Sequence, residues 1–335
     1  MWGRLSSSTT SHQPVLGTIL GVRVSSRSRR LRSVAIRSIE REIERLNLVF
    51  SIYDAHSEFS RWRTNAAPGV SMSDELLTVL TLARQWQLHS GAAFNPAAGI
   101  LSYAWAQAQA TNIVPSKVAL AALADTVREP RYDITAEGVI HIGDCSRLNL
   151  NAIAKGYIVD QAANKALALR GVTSVVVNIG GDLCHLGHGY HDVGIENPHR
   201  PYDNEPPISV VRIANQALAT SGFSRRGCTV NGAWFSHVID PRSGWPATAV
   251  ASASVIAPTA VTADAVATVL SVLTPAEGAA FVDRHADLGY LLVSENGDVV
   301  TNATWQTQSI SPKANQDIAI QRSNSEITAP TLTVT

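Results

Sequence analysis

The sequence predicts a mixed α+β fold. Segments with helical spacing of apolar residues are interspersed with β-branched runs along the whole chain, which is the pattern of an α+β protein. The longest such run, Val172–Ile179, is apolar and β-branched almost throughout, so it reads as a buried strand. The 335 residues are 45% hydrophobic and 16% charged, which supplies a core and excludes a disordered chain. At ~150 residues per domain the length alone suggests about two domains, yet no repeat or composition shift marks a boundary.

Residues 16–24 read as a strand, with Gly17 and Gly21 inside it. From Leu31 to Phe50, Val34, Ile36, Ile39, Ile43 and Leu46 recur among charges, the mark of an amphipathic helix. The basic group Arg27, Arg29, Arg30 and Arg32 reads as the solvated start of that helix. Ser73 before Asp74 and Glu75 opens a helix running to His89, and 116–124 predicts a short one. Tyr132–Thr135 and Val139–Ile142 flank Glu137-Gly138 as a hairpin. Residues 153–169 read as a helix. Strands follow at 208–213, 234–239 and 252–257, then helices at 262–273 and 275–285. Residues 288–293 and 299–301 pair around Asn296-Gly297. The Ser/Thr/Asn/Gln-rich stretch 304–335 is expected to fray, as is 1–13.

With 27 basic and 27 acidic residues, no bulk attraction to nucleic acid or to an anionic membrane is expected. No apolar run approaches the ~18 residues of a membrane span, and no signal-like apolar stretch follows Met1, so a cytoplasmic location is expected. Cys145, Cys184 and Cys228 form no disulfide framework and no C-x-x-C pair.

Five segments can carry chemistry. In Asn149–Asp160, small residues lead into a helix whose free N–H groups, with Lys155, suit a phosphate; alone, Lys155 is equally an ordinary surface lysine. Gly180-Gly181-Asp182 ends the buried strand in a sharp turn open to a ligand or simply joining two strands; it is not a dinucleotide fingerprint. Asp264 and Thr268 lie four apart on a helix, a hard-oxygen pair suited to Mg²⁺; the alternative is an Asp264 that caps the first turn. His237 precedes the Pro/Gly loop containing Asp240; a histidine there can act as a base, while Asp240 can equally satisfy loop N–H groups. Thr220-Ser221-Gly222 reads as a hydroxyl-bearing turn without a hydrolase elbow. Cys184, His185, His188 and His191 could suggest zinc, but Gly187 and Gly189 favour a turn.

In order and spacing, these segments resemble the ApbE family, the FAD:protein FMN transferases. The resemblance rests on Leu16-Gly17-Thr18, on F-S-x-Y-x-x-x-S-E-x-S-R from Phe50 to Arg61, and on S-G-A-A-F-N-P from Ser90 to Pro96. It continues through N-A-I-A-K-G-Y, V-N-I-G-G-D, A-T-S-G, H-V-I-D-P-R-S-G and A-D-A-V-A-T. It implies one large domain over 14–303, with two lobes around a flavin-binding cleft. The implied reaction splits FAD with Mg²⁺, moves FMN to a Ser or Thr hydroxyl of a target flavoprotein, and releases AMP. Neither nucleic acid nor a membrane span takes part. Asp264, Thr268 and the Ala152 carbonyl would hold the metal, with Ala267 adjoining. Leu16, Tyr53, Ala93, Phe94, Asn95 and Asn149 would line the FAD. Lys155 and Val238 would do so from the other motifs. Gly180, Gly181, Asp182, Thr220, Ser221 and Gly222 would lie near the cleft. His237 is the implied base, acting with Asp264 and Lys155 as the catalytic set.

Several positions depart from the family pattern, among them Asn151-Ala152, where Gly-Gly or Ser-rich pairs are common. Leu16 stands where Met is common, and Asn95 and Asn149 stand where Asp is common. Losing two carboxylates is expected to make the cleft less negative and to remove acceptors for the ligand. An FAD pyrophosphatase giving FMN and AMP, or a non-catalytic FAD-binding protein, are the alternative readings.

Overall fold

The computed structural model describes residues 7–65, 72–135, 138–202, 205–222, 226–311 and 319–321, with backbone alone at 7–14 and 319–321. The chain opens with the hairpin β1 (Ser7–Val15) and β2 (Thr18–Ser26), then α1 (Arg29–Phe50), α2 (Glu58–Thr64) and α3 (Asp74–His89). A 3-10 turn at Pro96–Ala98 leads into α4 (Gly99–Thr111), followed by α5 (Lys117–Arg128) and the hairpin β3 (Tyr132–Thr135) and β4 (Gly138–His141). Next come α6 (Ala154–Leu167), β5 (Val172–Ile179), β6 (Asp182–Gly187), β7 (His191–Ile195), β8 (Ser209–Ile213) and β9 (Gln216–Gly222). The hairpin β10 (Gly227–Val230) and β11 (Ala233–Ser236) precedes β12 (Val250–Ala257), α7 (Ala260–Val272) and α8 (Pro275–Val282). Last are β13 (Gly289–Ser294), β14 (Val299–Thr301), α9 (Ala303–Gln308) and β15 (Ala319–Gln321).

Eight strands form one antiparallel sheet in the order β1-β2-β5-β6-β9-β12-β13-β14. Side chains alternate between its two faces. Val175, Val177 and Ile179 of β5 join the core under α1, α6 and α7, whereas Val176 points into a second cluster with Val193, Val211 and Trp305. The sheet is therefore covered on both sides, which is why β5 carries consecutive valines at 175–177 and every residue of β12 is buried. The second cover is the small sheet β15-β7-β8 together with α9. Helices α2–α5 and the two hairpins share the first core through Phe59, Trp62, Leu80, Leu101 and Trp105.

Serines set the helix starts. Ser28, Ser73 and Ser116 each accept the N–H three residues on, satisfying a donor that no helical carbonyl reaches. The α3 helix ends through Gly91 N–H to the Leu88 carbonyl and Ala92 N–H to the Gln87 carbonyl, with Gly91 and Ala92 both at positive φ.

Three expectations change. Leu16 and Gly17 are not strand but the two-residue turn between β1 and β2, at φ 52° and 74°. Two positive φ values match the twist of a hairpin, which is why a glycine is needed there. Thr220–Gly222 is not a turn but the end of β9, where a Cβ on Gly222 would stand 2.4 Å from the Ala251 carbonyl oxygen. The expected tails also reach too far inward, because β1 pairs with β2 and Trp305 of α9 is 1% exposed. Cys145, Cys184 and Cys228 are all free, and no described helix is long and apolar enough to cross a membrane.

Candidate active site

Antiparallel pairing gathers separate motifs at one end of the main sheet. Gly180 N–H donates to Ile19 O beside the Leu16-Gly17 turn, and Asp182 pairs with Ala219 at the threshold of Thr220–Gly222. Gly180 and Gly181 carry φ of 56° and 106°, so this β5–β6 turn requires glycine. Asp182 is 1% exposed and forms an ion pair with Lys155 from the first turn of α6. Lys155 is therefore neither an ordinary surface lysine nor an unpaired cation.

Asp264 completes this cluster. Its Oδ2 accepts the Gly156 N–H at 3.1 Å, a donor left over at the start of α6. Its other oxygen and the half-buried Thr268 hydroxyl make no hydrogen bond among the described residues. Burial, then the negative charge of Asp182, pushes the Asp264 carboxyl up to about 7, with Lys155 and the Gly156 N–H opposing. Burial acts against the Lys155 charge, but Asp182 and Asp264 outweigh it and hold the ammonium above its ordinary value. Burial likewise raises Asp182 against the pull of Lys155.

The helices meet closely here. Gly156 is the contact point, since a Cβ would fall 2.3 Å from Ala260 O. One turn along α6, Asp160 accepts Ala260 N–H at 2.8 Å and Val261 N–H at 2.9 Å. Each helix thus supplies an aspartate to the other's first turn. Ala152 lies in the turn just before α6, and Ala267 is buried beside Thr268 on α7. The unpartnered Asp264 oxygen and the Thr268 hydroxyl, four residues apart on α7, are hard oxygen donors of the kind that suits a Mg²⁺-like ion. Among the described residues no cluster of three His, Cys, Asp or Glu side chains forms a metal cage.

Arg63 assembles the second group of positions. It donates to Leu148 O at 3.1 Å and to Ile52 O at 3.0 Å, while Asn149 N–H donates to Pro96 O at 2.8 Å. Tyr53, 81% exposed, directly follows Ile52, while Asn149 and Asn95 adjoin Leu148 and Pro96. Ala93 and Phe94 are buried, and the Phe94 N–H is held by Ser90 Oγ at 2.9 Å. The two asparagines have local duties. Asn95 accepts Ala97 N–H at 2.9 Å and donates to Val127 O at 2.8 Å; Asn149 accepts Asn151 N–H at 2.8 Å. Both polar atoms of Asn95 are thus engaged by protein groups.

His237 follows β11. Its Nδ1–H donates to Arg226 O at 3.0 Å, leaving Nε2 as the acceptor nitrogen. The ring reaches solvent, yet the protein packed around it lowers its pKa, aided by the Arg226 charge and opposed by that hydrogen bond. Val238 is buried behind it, its N–H held by Ser236 Oγ. Asp240 serves its loop, accepting Arg242 N–H at 2.9 Å. Arg226 escaped the sequence reading: its charge acts on both Lys155 and His237, so it links the two halves of the site electrostatically. Nothing but a basic residue before a glycine hinted at it.

A family model described as the ApbE family matches residues 16–292. The FAD:protein FMN transferase of Treponema pallidum (strain Nichols) is 30% identical over 281 residues, covering 77% of this chain and 77% of that protein. That of Vibrio cholerae serotype O1 is 30% identical over 259 residues, covering 74% and 75%. Among solved structures, the ApbE protein of Thermotoga maritima MSB8 superposes with a TM-score of 0.80 at 23% identity, covering 91% of this chain and all of that one (100%). The flavin transferase ApbE of Vibrio cholerae gives 0.74 at 22%, covering 91% and 99%. These superpositions speak for the fold; the family model and the 30% relatives speak for descent. Matched over most of its length by both, the chain belongs to the ApbE family.

Proposed function

We propose that this chain is an FAD:protein FMN transferase that moves the FMN half of FAD onto a Ser or Thr hydroxyl of a target flavoprotein and releases AMP. The observation that carries the reading is the Lys155–Asp182–Asp264 cluster where the first turns of α6 and α7 meet. One buried lysine and two helix N-termini meeting at one point suit a pyrophosphate once a metal offsets the carboxylates. Transfer of this type needs charge neutralisation and alignment more than covalent help. Asp264, Thr268 and the Ala152 carbonyl would hold Mg²⁺, with Ala267 packing beside them. When bound, the ion supplies charge neutralisation for the pyrophosphate.

The chain's own groups do the rest. Lys155, kept cationic by Asp182 and Asp264, faces the pyrophosphate. The exposed ring of Tyr53 and the backbone at Ala93–Asn95 border the flavin, with Leu16 and Val238 at its edges. His237 is neutral near pH 7, and its Nε2 takes the proton of the incoming hydroxyl. The hydroxyl oxygen forms a bond to the flavin-side phosphorus. The bridging P–O bond breaks, and its electron pair leaves on the phosphate of AMP.

The test is incubation with FAD, Mg²⁺ and a panel of flavoproteins, followed by denaturing electrophoresis and in-gel flavin fluorescence. A covalently fluorescent acceptor band, lost with Asp264→Ala, is the expected result. Absence of labelling on every acceptor refutes the proposal.

A further inference from the structure

Asp160 is a buried charge that the reaction scheme leaves unused. It is 8% exposed, and both its oxygens are spent on Ala260 and Val261 N–H, at 2.8 and 2.9 Å. The Cys184 thiol donates to it as well. No oxygen is left for a ligand, so Asp160 is neither a metal ligand nor an acid–base group. A buried carboxylate is costly to retain, and burial raises this one to about 6. The side chain of Thr259, the N-cap of α7, accepts only the Thr262 N–H, at 3.4 Å, so the first two N–H groups of the helix depend on Asp160 from α6.

The location of the bonds is informative. Ala260, Asp264 and Thr268 lie at four-residue steps, on one face of α7. Gly156 and Asp160 stand at the same step on α6. Gly156 donates to Asp264, while Asp160 receives the N–H groups at the start of α7. Two carboxylate bonds and one glycine contact therefore fix both the distance and the rotation of α7 against α6. A slip by one residue would turn α7 by about 100° and carry Asp264 and Thr268 off the site.

We propose that Asp160 is a positioning residue for the metal site: by gripping the first turn of α7, it sets where Asp264 and Thr268 stand relative to the Ala152 carbonyl and Lys155. This rests on the reading of Asp264 and Thr268 as metal ligands.

The test is titration of the full chain with Mn²⁺, followed by electron paramagnetic resonance, without acceptor. FAD affinity is measured separately by flavin fluorescence in the absence of metal. Asp160→Asn keeps the size and loses one of the two acceptors. The expected result is a Mn²⁺ dissociation constant raised tenfold or more, with FAD affinity changed less than threefold. Ala260→Pro breaks the same contact from α7 with the carboxylate intact, at a helix position that tolerates proline, and the same loss is expected. It decides the matter if Asp160→Asn does not fold. A folded variant with native Mn²⁺ affinity, however much its unfolding temperature falls, overturns the proposal, because it shows a role in stability alone. Native Mn²⁺ binding by Asp264→Ala overturns the metal reading itself and the proposal with it.

Discussion

Gly156→Ala tests the junction of α6 and α7 most simply. The added methyl would sit 2.3 Å from Ala260 O, 2.6 Å from Ala260 C and 2.7 Å from Val261 Cα. All three are backbone atoms, so no side-chain rotation relieves the clash. Restoring ordinary contact requires the helices to part by about 1 Å. That separation breaks the 3.1 Å bond from Gly156 N–H to Asp264 and leaves a buried carboxylate short of a donor. Overpacking costs about 1–3 kcal/mol and the lost buried bond about 1–3 more, against a gain of up to about 1 from replacing glycine in a helix. The net expectation is a loss of about 1–5 kcal/mol, measured by urea unfolding followed by tryptophan fluorescence. Metal affinity should fall with it. A variant stabilised by the helix-propensity gain, with native Mn²⁺ binding, would refute the close-contact argument.

Other perturbations act elsewhere. Asn95→Asp, which moves toward the residue usual in the family, sets a carboxylate oxygen against Val127 O in place of the amide donor; a loss of about 1–3 kcal/mol is expected in the same unfolding assay, and unchanged stability would contradict the loop role. Burial, then the charges of Arg23 and His185, lowers the pKa of His191 from 6.5 to about 4, with Asp192 opposing. At this group the folded chain thus binds fewer protons than the unfolded one in that window. The contribution of this group to stability is complete above pH 6.5 and falls as the pH drops toward 4, by about 2 kcal/mol between pH 7 and pH 5, while the raised carboxyls of Asp160 and Asp264 contribute in the opposite direction. His191→Gln should remove that slope, and an identical pH profile would show the assignment to be wrong. His237→Gln, which keeps a polar group but no base, should lower the transfer rate about 10²–10⁴-fold while FAD affinity stays near native. Equal rates at neutral pH would exclude His237 as the base.

Much of this was readable in the residues. The serine caps, the apolar stripe of α1 and the unbroken run of β5 locate their elements because they satisfy strong local rules. Elements without such signals stayed hidden. Asp182–Gly187 holds a buried acid and a histidine where a strand shows alternating apolar residues, and it forms β6 because Lys155 and the Asn215 N–H satisfy those groups from other elements. The α4 segment is rich in Ala and Gln, with little periodicity, and Trp105 anchors it through Gly244 O, 139 residues away in sequence. At the site, the spacing of Asp264 and Thr268 was legible on one helix. The pairing of Lys155 with Asp182 and the grip of Asp160 on α7 were not, because each joins segments that only the folded sheet and helices bring together.

The central claim is that the cluster at the α6–α7 junction splits FAD for transfer to protein rather than to water. The most direct measurement is a single-turnover reaction with FAD, Mg²⁺ and a labelled acceptor, in which released AMP and protein-bound flavin are quantified from the same sample. The account predicts equal amounts of AMP and covalent flavin on the acceptor, both abolished by Asp264→Ala. AMP appearing with free FMN and an unmodified acceptor would contradict it.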